Sequence, residues 1–236
     1  MIADLAVVIP AHNEEALLPA ALEAVAMAAR HPGLAGVRVS TVVVADACRD
    51  RTAVLARAAG AVVVTTDCRN PGLARHIGIR RALDRRAHHC GAVWVATTDA
   101  DSTVPAGWLA YQVARAREGW QAVVGTVVLP PSSSLAAAHR RQYEQTRPAG
   151  RATWCHPHVH GANLGIGAAS YLDVGGFPPL ATGEDRALVE ALERRGHRVL
   201  RSAHCPVLTS PRLRPRARHG FGDHLAAMSR SAGLVP

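Results

Sequence analysis

Four short runs of apolar, mostly β-branched residues alternate with helical patterns over the first hundred residues. The runs are Leu5 to Ile9, Val37 to Ala45, Val62 to Thr65 and Ala92 to Thr97. Uninterrupted apolar runs of this length are typical of strands that are covered on both faces, and strands that alternate with helices form parallel sheets. The pattern therefore predicts an α/β fold with a mostly parallel central sheet flanked by helices.

Helical periodicity fills the stretches between these runs. The first predicted helix starts near Leu18 with Pro19 in its first turn, where the missing N–H of proline is tolerated. The second runs from about Thr52 and is ended by Gly60, and the third spans Leu73 to Arg86.

The second half of the chain continues the same alternation less regularly. It predicts helices at Pro105 to Glu118, Leu135 to Thr146 and Leu188 to Arg194, and strands at Ala122 to Leu129, Ala162 to Ile166 and Arg198 to Leu200. The Arg- and Pro-rich segment Pro211 to His219 is predicted to be a loop. Because the chain has no internal repeat and no clear linker, we expect residues 1–236 to form one domain with two halves.

Composition narrows the class of protein. Apolar residues make up 48% of the 236 residues and charged residues 19%, which excludes a disordered chain. No apolar run reaches the roughly 18 residues of a transmembrane helix, and the N-terminus has no signal-peptide pattern. The five cysteines are scattered and never spaced CxxC, which is typical of a reduced protein without zinc knuckles. We therefore expect a cytoplasmic protein.

The net charge of +9 comes from 27 basic residues, all arginine, against 18 acidic ones. This excess reflects either an arginine-rich genome or an anionic partner, which would be a nucleoside diphosphate, an acidic lipid surface or nucleic acid. Aromatic residues are only 4% and do not interleave with the arginines, so we expect no nucleic-acid partner. Peripheral contact with an anionic membrane stays open.

Polar clusters follow all four predicted strands of the first half, at residues 10–15, 46–50, 66–72 and 98–102. The carboxyl ends of parallel strands share one edge of a sheet, where ligands bind. Each cluster alone would fit ordinary helix capping, but four in succession indicate a binding site.

Asp99-Ala100-Asp101 is the cluster that points most specifically to a function. Two carboxylates just after a buried strand can share a hard divalent cation, Mn²⁺ or Mg²⁺, through oxygen ligands. Such a cation would bridge phosphate oxygens and neutralise the charge that builds on a diphosphate leaving group.

The order of the motifs along nearly the whole chain resembles that of family 2 glycosyltransferases with the GT-A fold. The matching segments are Val8 to Glu15, Val44 to Thr52, Gly72 to Gly78, Asp99 to Asp101, His160 to Asn163, Gly175 to Phe177 and Gly183 to Asp185. The resemblance implies an inverting, metal-dependent transfer of a sugar from a nucleotide-diphosphate sugar to an acceptor hydroxyl on a small or lipid-linked molecule. It also implies that about 1–104 bind the donor and about 105–236, with the basic tail, bind the acceptor.

Matched residue by residue, the resemblance implies roles on the donor side. These are Pro10, Ala11 and Glu14 at the border of the nucleoside pocket, Asp46 on the base, Asp99 on the ribose, Arg75 on the diphosphate and Asp101 on the metal.

On the acceptor side, the resemblance implies that Asp185 is the general base on the acceptor hydroxyl. Glu184 would cap its helix or contact the acceptor, and His160 and Asn163 would touch the substrate. His204 is either a further metal ligand, as in some GT-A enzymes, or a histidine at the end of a strand.

The chain departs from the family in two places. It has Ala45-Asp-Ala-Cys48 where the family often has Asp-Asp-Gly-Ser, which affects the expected contacts of the base. It also has no QxxRW motif, which argues against a processive polysaccharide synthase. Two rival functions stay open: a nucleotide-sugar-binding module without turnover, and a sugar nucleotidyltransferase, although the glycine-rich loop typical of the latter is missing.

Two further patterns have alternative interpretations. His156, His158 and His160 would face one side of an extended chain, as zinc ligands or as part of a polar acceptor loop. The segment Thr209 to Arg218 is either a lid that closes on the diphosphate or a solvated basic loop.

Overall fold

The structure, a computed structural model, describes residues 2–84, 92–147, 155–213 and 220–231. Its strands are β1 (Asp4–Ala11), β2 (Arg38–Asp46), β3 (Val62–Thr66), β4 (Val93–Thr97), β5 (Ser102–Thr103), β6 (Ala122–Val128), β7 (Leu164–Gly167) and β8 (Val199–Thr209). Its helices are α1 (Leu18–Ala29), α2 (Thr52–Ala58), α3 (Pro71–Asp84), α4 (Trp108–Arg117), α5 (Ala136–Gln145), α6 (Ala168–Asp173), α7 (Glu184–Arg194) and α8 (Phe221–Ser231).

The strands form one sheet in the order β3-β2-β1-β4-β7-β6-β8-β5. The pairs β1–β2, β2–β3, β1–β4 and β6–β8 are parallel, whereas β7 runs antiparallel to both of its neighbours and β5 runs antiparallel to β8. The predicted α/β class with a mostly parallel sheet is confirmed. The antiparallel insertion of β7 was not predicted, because a four-residue apolar strand has no signal for its direction.

Burial on both faces explains the uninterrupted apolar runs. In β1, Leu5, Val7 and Ile9 belong to one core, and Ala6 and Val8 belong to the core on the opposite face of the sheet. Every one of these side chains is fully buried. Because successive side chains of a strand point to opposite faces, a strand between two helical layers must be apolar at each position.

Helix α3 packs unusually close to the sheet. A Cβ added at Gly78 would lie 2.5 Å from Cγ1 of Val8 and 2.8 Å from Cγ2 of Val44, so only glycine fits there. This close approach brings Arg75, one turn earlier on α3, to the carboxyl edge of β1 and β4.

The second half contains the largest differences from the predicted elements. β8 extends to Thr209 rather than ending near Leu200, because it pairs with β6 and then with β5. The helix α8 was not predicted, and α7 begins at Glu184, four residues before its predicted start. The end of the predicted third helix and most of the predicted tail loop lie outside the described residues. Among the described residues, no helix is both long and apolar enough to cross a membrane.

Candidate active site

The carboxyl ends of β1, β2 and β4 face a cavity of about 1110 Å³. Helices α5, α7 and α8 and the segment after β8 close its other sides. Most of the site residues predicted from the sequence line this cavity, namely Pro10, Ala11, Glu14, Asp46, Arg75, Asp99, Asp101, His160, Glu184 and Asp185.

Two carboxylates, those of Glu14 and Asp101, lie on the side of the cavity formed by the ends of β1 and β4. One guanidinium nitrogen of Arg212 lies 2.7 Å from Oε1 of Glu14 and 2.7 Å from Oδ2 of Asp101. Burial, together with the neighbouring carboxylates Asp99 and Glu14, raises the pKa of Asp101 to about 6, although the positive charge of Arg212 opposes the shift. This part of the cavity is therefore built to hold a cation.

Arg75 connects the two sides of the cavity. Its Nη1 donates to Oε1 of Glu184, and its Nη2 donates to Oδ1 of Asp99 at 2.5 Å. Burial by itself lowers the Arg75 pKa, but the two carboxylates outweigh it, so the net shift is upward. Its Nε is buried without a hydrogen-bond partner among the described residues. The guanidinium also packs against Gly161, where an added Cβ would lie 2.6 Å from Cζ.

This network fixes the start of α7 at the cavity. Gly183 precedes the helix with a φ of +74°, and Glu184 is held by Arg75. The next residue, Asp185, accepts a hydrogen bond from the Gly161 N–H at 2.9 Å and from the N–H of Arg186 at 2.7 Å. The Asp185 carboxylate is thus held in place by backbone donors while it lines the cavity.

Asp46 holds the loop after β3. Its carboxylate accepts hydrogen bonds from the Thr66 hydroxyl and from the backbone N–H groups of Cys68, Arg69 and Asn70, at 2.8 to 3.0 Å. Burial alone raises the Asp46 pKa, but these donors lower it below its usual value. The carboxylate thus has a structural task at the cavity, beside any contact with a base.

Asn163 does not line the cavity. It is buried, accepts a hydrogen bond from the Trp108 indole N–H at 2.8 Å, and donates to the carbonyls of Thr126 and Cys205 at 2.8 Å each. These contacts fix the junction of β6, β7 and β8. The acceptor contact expected for Asn163 therefore has no geometric support here.

His204 is also separated from the carboxylates. It is exposed and stacks on Tyr111, with ring centroids 5.8 Å apart. It does not line the cavity, and it lies in the part of β8 between Ser202 and Val207, where the pairing with β6 is irregular. His204 thus lies within β8 rather than at its end, and outside the lining of the cavity that contains Asp101.

One wall of the cavity was not predicted from the sequence. We call it the aromatic wall; it consists of His139 and Tyr143 from α5, His158 and His160, and Phe221 from α8. Tyr143 stacks on His158 with centroids 4.0 Å apart, and Phe221 meets His139 and His160 edge to face at 5.4 and 5.6 Å. The spacing of His139 and Tyr143, four residues apart on one helix, was the available sequence signal.

The alternating histidines do not form a zinc site. His156 directs its two ring nitrogens at the carbonyls of His158 and Val124, at 3.1 and 3.2 Å. The rings of His156, His158 and His160 are stacked rather than converging on one point. Among the described residues, no group of three His, Cys, Asp or Glu side chains is arranged to hold a metal ion.

A divalent metal nevertheless fits beside Asp101, at the side of the cavity formed by the ends of β1 and β4. Magnesium-like ions are commonly bound by one or two carboxylates, with substrate phosphates and water completing the shell. Asp101 supplies such a carboxylate, and Glu14 and Asp99 add negative charge opposite the guanidinium groups of Arg212 and Arg75. Burial is the main cause of the raised Asp101 pKa, followed by the charge of Asp99, and a bound cation would favour the ionised carboxylate against both.

Comparison with protein-family models gives one match. The model of Glycosyl transferase family 2 matches residues 6–166, which run from within β1 to within β7 and include Glu14, Asp46, Asp99 and Asp101. No curated protein matches the chain.

Solved structures share the fold. Staphylococcus aureus TarS 1–349 is 15% identical with a TM-score of 0.65, covering 88% of this chain and 60% of TarS. A mannosyltransferase from Pyrobaculum calidifontis, in complex with GDP-Man and Mn²⁺, is 23% identical with a TM-score of 0.63, covering 86% of this chain and 56% of that one.

Glucosyl-3-phosphoglycerate synthase from Mycobacterium tuberculosis, in complex with Mn²⁺, UDP and phosphoglyceric acid, is 21% identical with a TM-score of 0.56. The similarity covers 96% of this chain and 74% of the synthase. This chain thus spans only about 60% of the TarS fragment, and at these identities the likeness shows the fold.

Proposed function

Since the chain belongs to glycosyl transferase family 2, we propose that it transfers a sugar from a nucleotide-diphosphate sugar to an acceptor hydroxyl, with inversion at the anomeric carbon. The observation that carries this proposal is the Asp99–Arg75–Glu184 network. This network keeps the carboxylates that follow β4 and the carboxylate of Asp185 at the same cavity. A single displacement requires that two bound substrates meet in one such place.

The donor binds along the carboxyl ends of β1, β2 and β4. Pro10 and Ala11 border the nucleoside with backbone and small side chains, and Asp46 lies where it can contact the base while it holds the loop after β3. Residues 1–104 supply most of this donor half, and 105–236 supply the acceptor half together with Arg212.

Asp101 would hold a divalent cation, Mn²⁺ or Mg²⁺, which would supply positive charge to the departing diphosphate oxygens. The solved relatives with GDP-Man and Mn²⁺, with UDP and Mn²⁺, and with UDP and Mg²⁺ support this choice of ion. Glu14 and Asp99 add to the negative field that favours the ion.

Asp185 acts as the general base. The acceptor oxygen attacks the anomeric carbon, the bond from that carbon to the diphosphate oxygen breaks with its electron pair, and the hydroxyl proton passes to the Asp185 carboxylate. A positioned base of this kind contributes about 10² to 10⁴ in rate. The N–H groups of Gly161 and Arg186 fix the orientation of the carboxylate.

Arg212 exchanges partners when the donor binds. In the structure its guanidinium neutralises Glu14 and Asp101. Once released from these carboxylates, the guanidinium of Arg212 would be available to the diphosphate, to which it is suited by charge and by its planar donors. This assigns the beginning of the basic tail to donor binding, whereas Arg214 and Arg216 lie outside the described residues.

Titration calorimetry with UDP- and GDP-sugars, with and without Mn²⁺, tests the donor, and NMR of the first product tests the stereochemistry. We expect metal-dependent donor binding and an inverted anomer. Absence of binding by every nucleotide-sugar would refute the proposal, and retention of configuration would remove the role of Asp185 as a single base.

A further inference from the structure

The cavity is divided by charge. Its carboxylates and guanidinium groups lie at the ends of the β1, β2 and β4 strands, on α3 and α7, and at Arg212. Among the described lining residues, α5, residues 158–160 and α8 contribute no carboxylate and no guanidinium. A diphosphate and its metal fit the charged side, whereas the aromatic wall offers an environment of a different kind.

The histidines of the wall are neutral at physiological pH. Burial and the neighbouring histidines lower the pKa of His139 to about 4, that of His158 to about 4 and that of His160 to about 3. Burial also raises the pKa of Tyr143 above its ordinary value, so its hydroxyl stays protonated, and it shares a hydrogen bond of 2.5 Å with Nε2 of His160. The wall therefore presents uncharged rings with hydrogen-bonding edges.

One atom of the wall lacks a partner. The side chain of His139 is almost completely buried, and its Nε2 has no hydrogen-bond partner among the described residues. A buried polar atom left unsatisfied costs free energy, and such atoms are rare in folded proteins. A ligand hydroxyl would satisfy this nitrogen in either tautomer, because a hydroxyl both donates and accepts.

The wall also lies beside the base assigned above. His160 directly precedes Gly161, whose N–H holds the Asp185 carboxylate. A ring that rests against His160 and Phe221 is therefore close to Asp185. An anionic acceptor would find no positive side chain on the described part of this wall, whereas Asp185 and Arg186, which line the cavity beside it, carry opposite charges.

Resting on the sugar transfer proposed above, we propose that the aromatic wall is the acceptor subsite and that it takes an uncharged, hydroxyl-bearing sugar ring. The apolar C–H face of the ring packs on the aromatic side chains, and one hydroxyl binds Nε2 of His139. The acceptor is thus a neutral glycoside or the terminal neutral sugar of a larger molecule.

A panel of acceptors tests the substrate class. The assay measures the nucleoside diphosphate that is released from a nucleotide-sugar that the protein binds. The acceptors are the methyl glycosides of glucose, mannose and galactose, glucuronic acid and 3-phosphoglyceric acid. We expect at least one neutral glycoside to raise the release about tenfold or more above donor hydrolysis, and the acids to have little effect. Preference for an acid, or no stimulation by any neutral ring, overturns the inference.

Two variants of His139 test the contact. His139→Leu removes the nitrogen, and His139→Gln keeps a polar atom near the same place. We expect the leucine variant to raise the acceptor KM about tenfold or more and the glutamine variant to raise it less, with the dissociation constant of the donor unchanged in both. The melting temperature of the leucine variant should stay the same or rise, because it removes an unsatisfied buried atom.

A histidine that only stabilises the fold would give the opposite result. The melting temperature of His139→Leu would then fall and the acceptor KM would not change. If donor affinity falls instead of acceptor affinity, the wall binds the nucleoside, and the inference is again wrong. If the wild-type protein binds and hydrolyses the donor, each of these results overturns only the acceptor subsite and leaves the proposed sugar transfer standing. If the wild-type protein binds no donor, both proposals fail.

Discussion

Arg75 donates a hydrogen bond to Glu184 across 109 residues of the chain. Both side chains are almost completely buried, with 6% and 7% exposed. The same guanidinium binds Asp99, so one cation ties the carboxyl end of β4 to the start of α7. The pair places Asp185 on the cavity, since Asp185 follows Glu184 in the first turn of that helix.

Replacing Glu184 with alanine should destabilise the fold. The change leaves the buried Arg75 with Asp99 as its remaining described carboxylate partner, and breaking a buried ion pair on one side costs about 3 to 5 kcal/mol. Glu190→Ala on the same helix is the control, because its pairing with Arg194 is exposed and contributes between about 0 and 1 kcal/mol. Urea unfolding measures both, and equal losses would show that the network adds nothing beyond a surface pair.

Asp101→Asn should abolish the dependence of donor affinity on Mn²⁺. The amide is nearly isosteric but neutral, so it is a poor ligand for a hard cation. Titration calorimetry of a nucleoside diphosphate with and without Mn²⁺ measures the effect. The matched control is Asp173→Asn, which changes a carboxylate outside the cavity that pairs with Arg195. Unchanged metal-dependent affinity in the Asp101 variant would sink the metal assignment.

The raised pKa of Asp101 also makes a prediction about stability. The folded value of about 6 exceeds the ordinary 3.8, so the folded state binds the proton more tightly than the unfolded chain does. This contribution to the free energy of unfolding is full below pH 4 and is lost as the pH rises to about 6, a change of up to about 3 kcal/mol.

Asp101→Asn lacks this titration. The variant should therefore gain stability relative to the wild type between pH 4 and pH 7, when urea unfolding is measured in EDTA to exclude metal. Parallel pH profiles for the two proteins would contradict the shift and its cause.

Asp185→Asn should lower the turnover rate by at least about 100-fold, because the amide cannot accept the proton of the acceptor hydroxyl. The dissociation constant of the donor should change little, since the amide oxygen can still accept the hydrogen bond from Gly161. Single-turnover kinetics and donor titration separate the two effects. Glu190→Gln on the same helix serves as the control, and near-normal turnover in the Asp185 variant would move the search for the base to Glu184 or His160.

Arg212→Gln should weaken the binding of nucleoside diphosphate about tenfold and reduce its dependence on salt, because a charged hydrogen bond to the diphosphate is lost. Mn²⁺ alone should bind more tightly, since the guanidinium no longer competes for Glu14 and Asp101. Calorimetry at low and high salt checks both effects, with the exposed Arg140→Gln as the control. Unaltered diphosphate affinity at both salt concentrations would reject the exchange of partners and leave a solvated basic segment.

The apolar runs determined the first half of the fold. The predicted bounds of β1 to β4 differ from those of the structure by at most two residues at each end, because strands buried on both faces are apolar at every position. The same pattern put the clusters at Glu14, Asp46 and Asp101 on one sheet edge, since parallel strands with helical connections share the direction of their carboxyl ends.

Only the tertiary structure decided which side chains meet. Sequence motifs assigned Arg75 to the diphosphate, but its two carboxylate partners come from β4 and α7 and depend on how α3 packs at Gly78. His204 lies within β8 and stacks on Tyr111 instead of lining the cavity with Asp101. Such contacts depend on the lengths and packing of elements far apart in the chain, which local periodicity does not record.

The aromatic wall shows the same limit most clearly. His139, His160 and Phe221 come from three separate elements and have no shared motif along the chain. Hydrophobic and polar periodicity determines which face of each element is buried, but the identity of the facing partner is a property of the packed core. The chain by itself therefore determined the parallel strands of the first half and their charged edge, and the fold decided the rest of the sheet and the neutral side of the cavity.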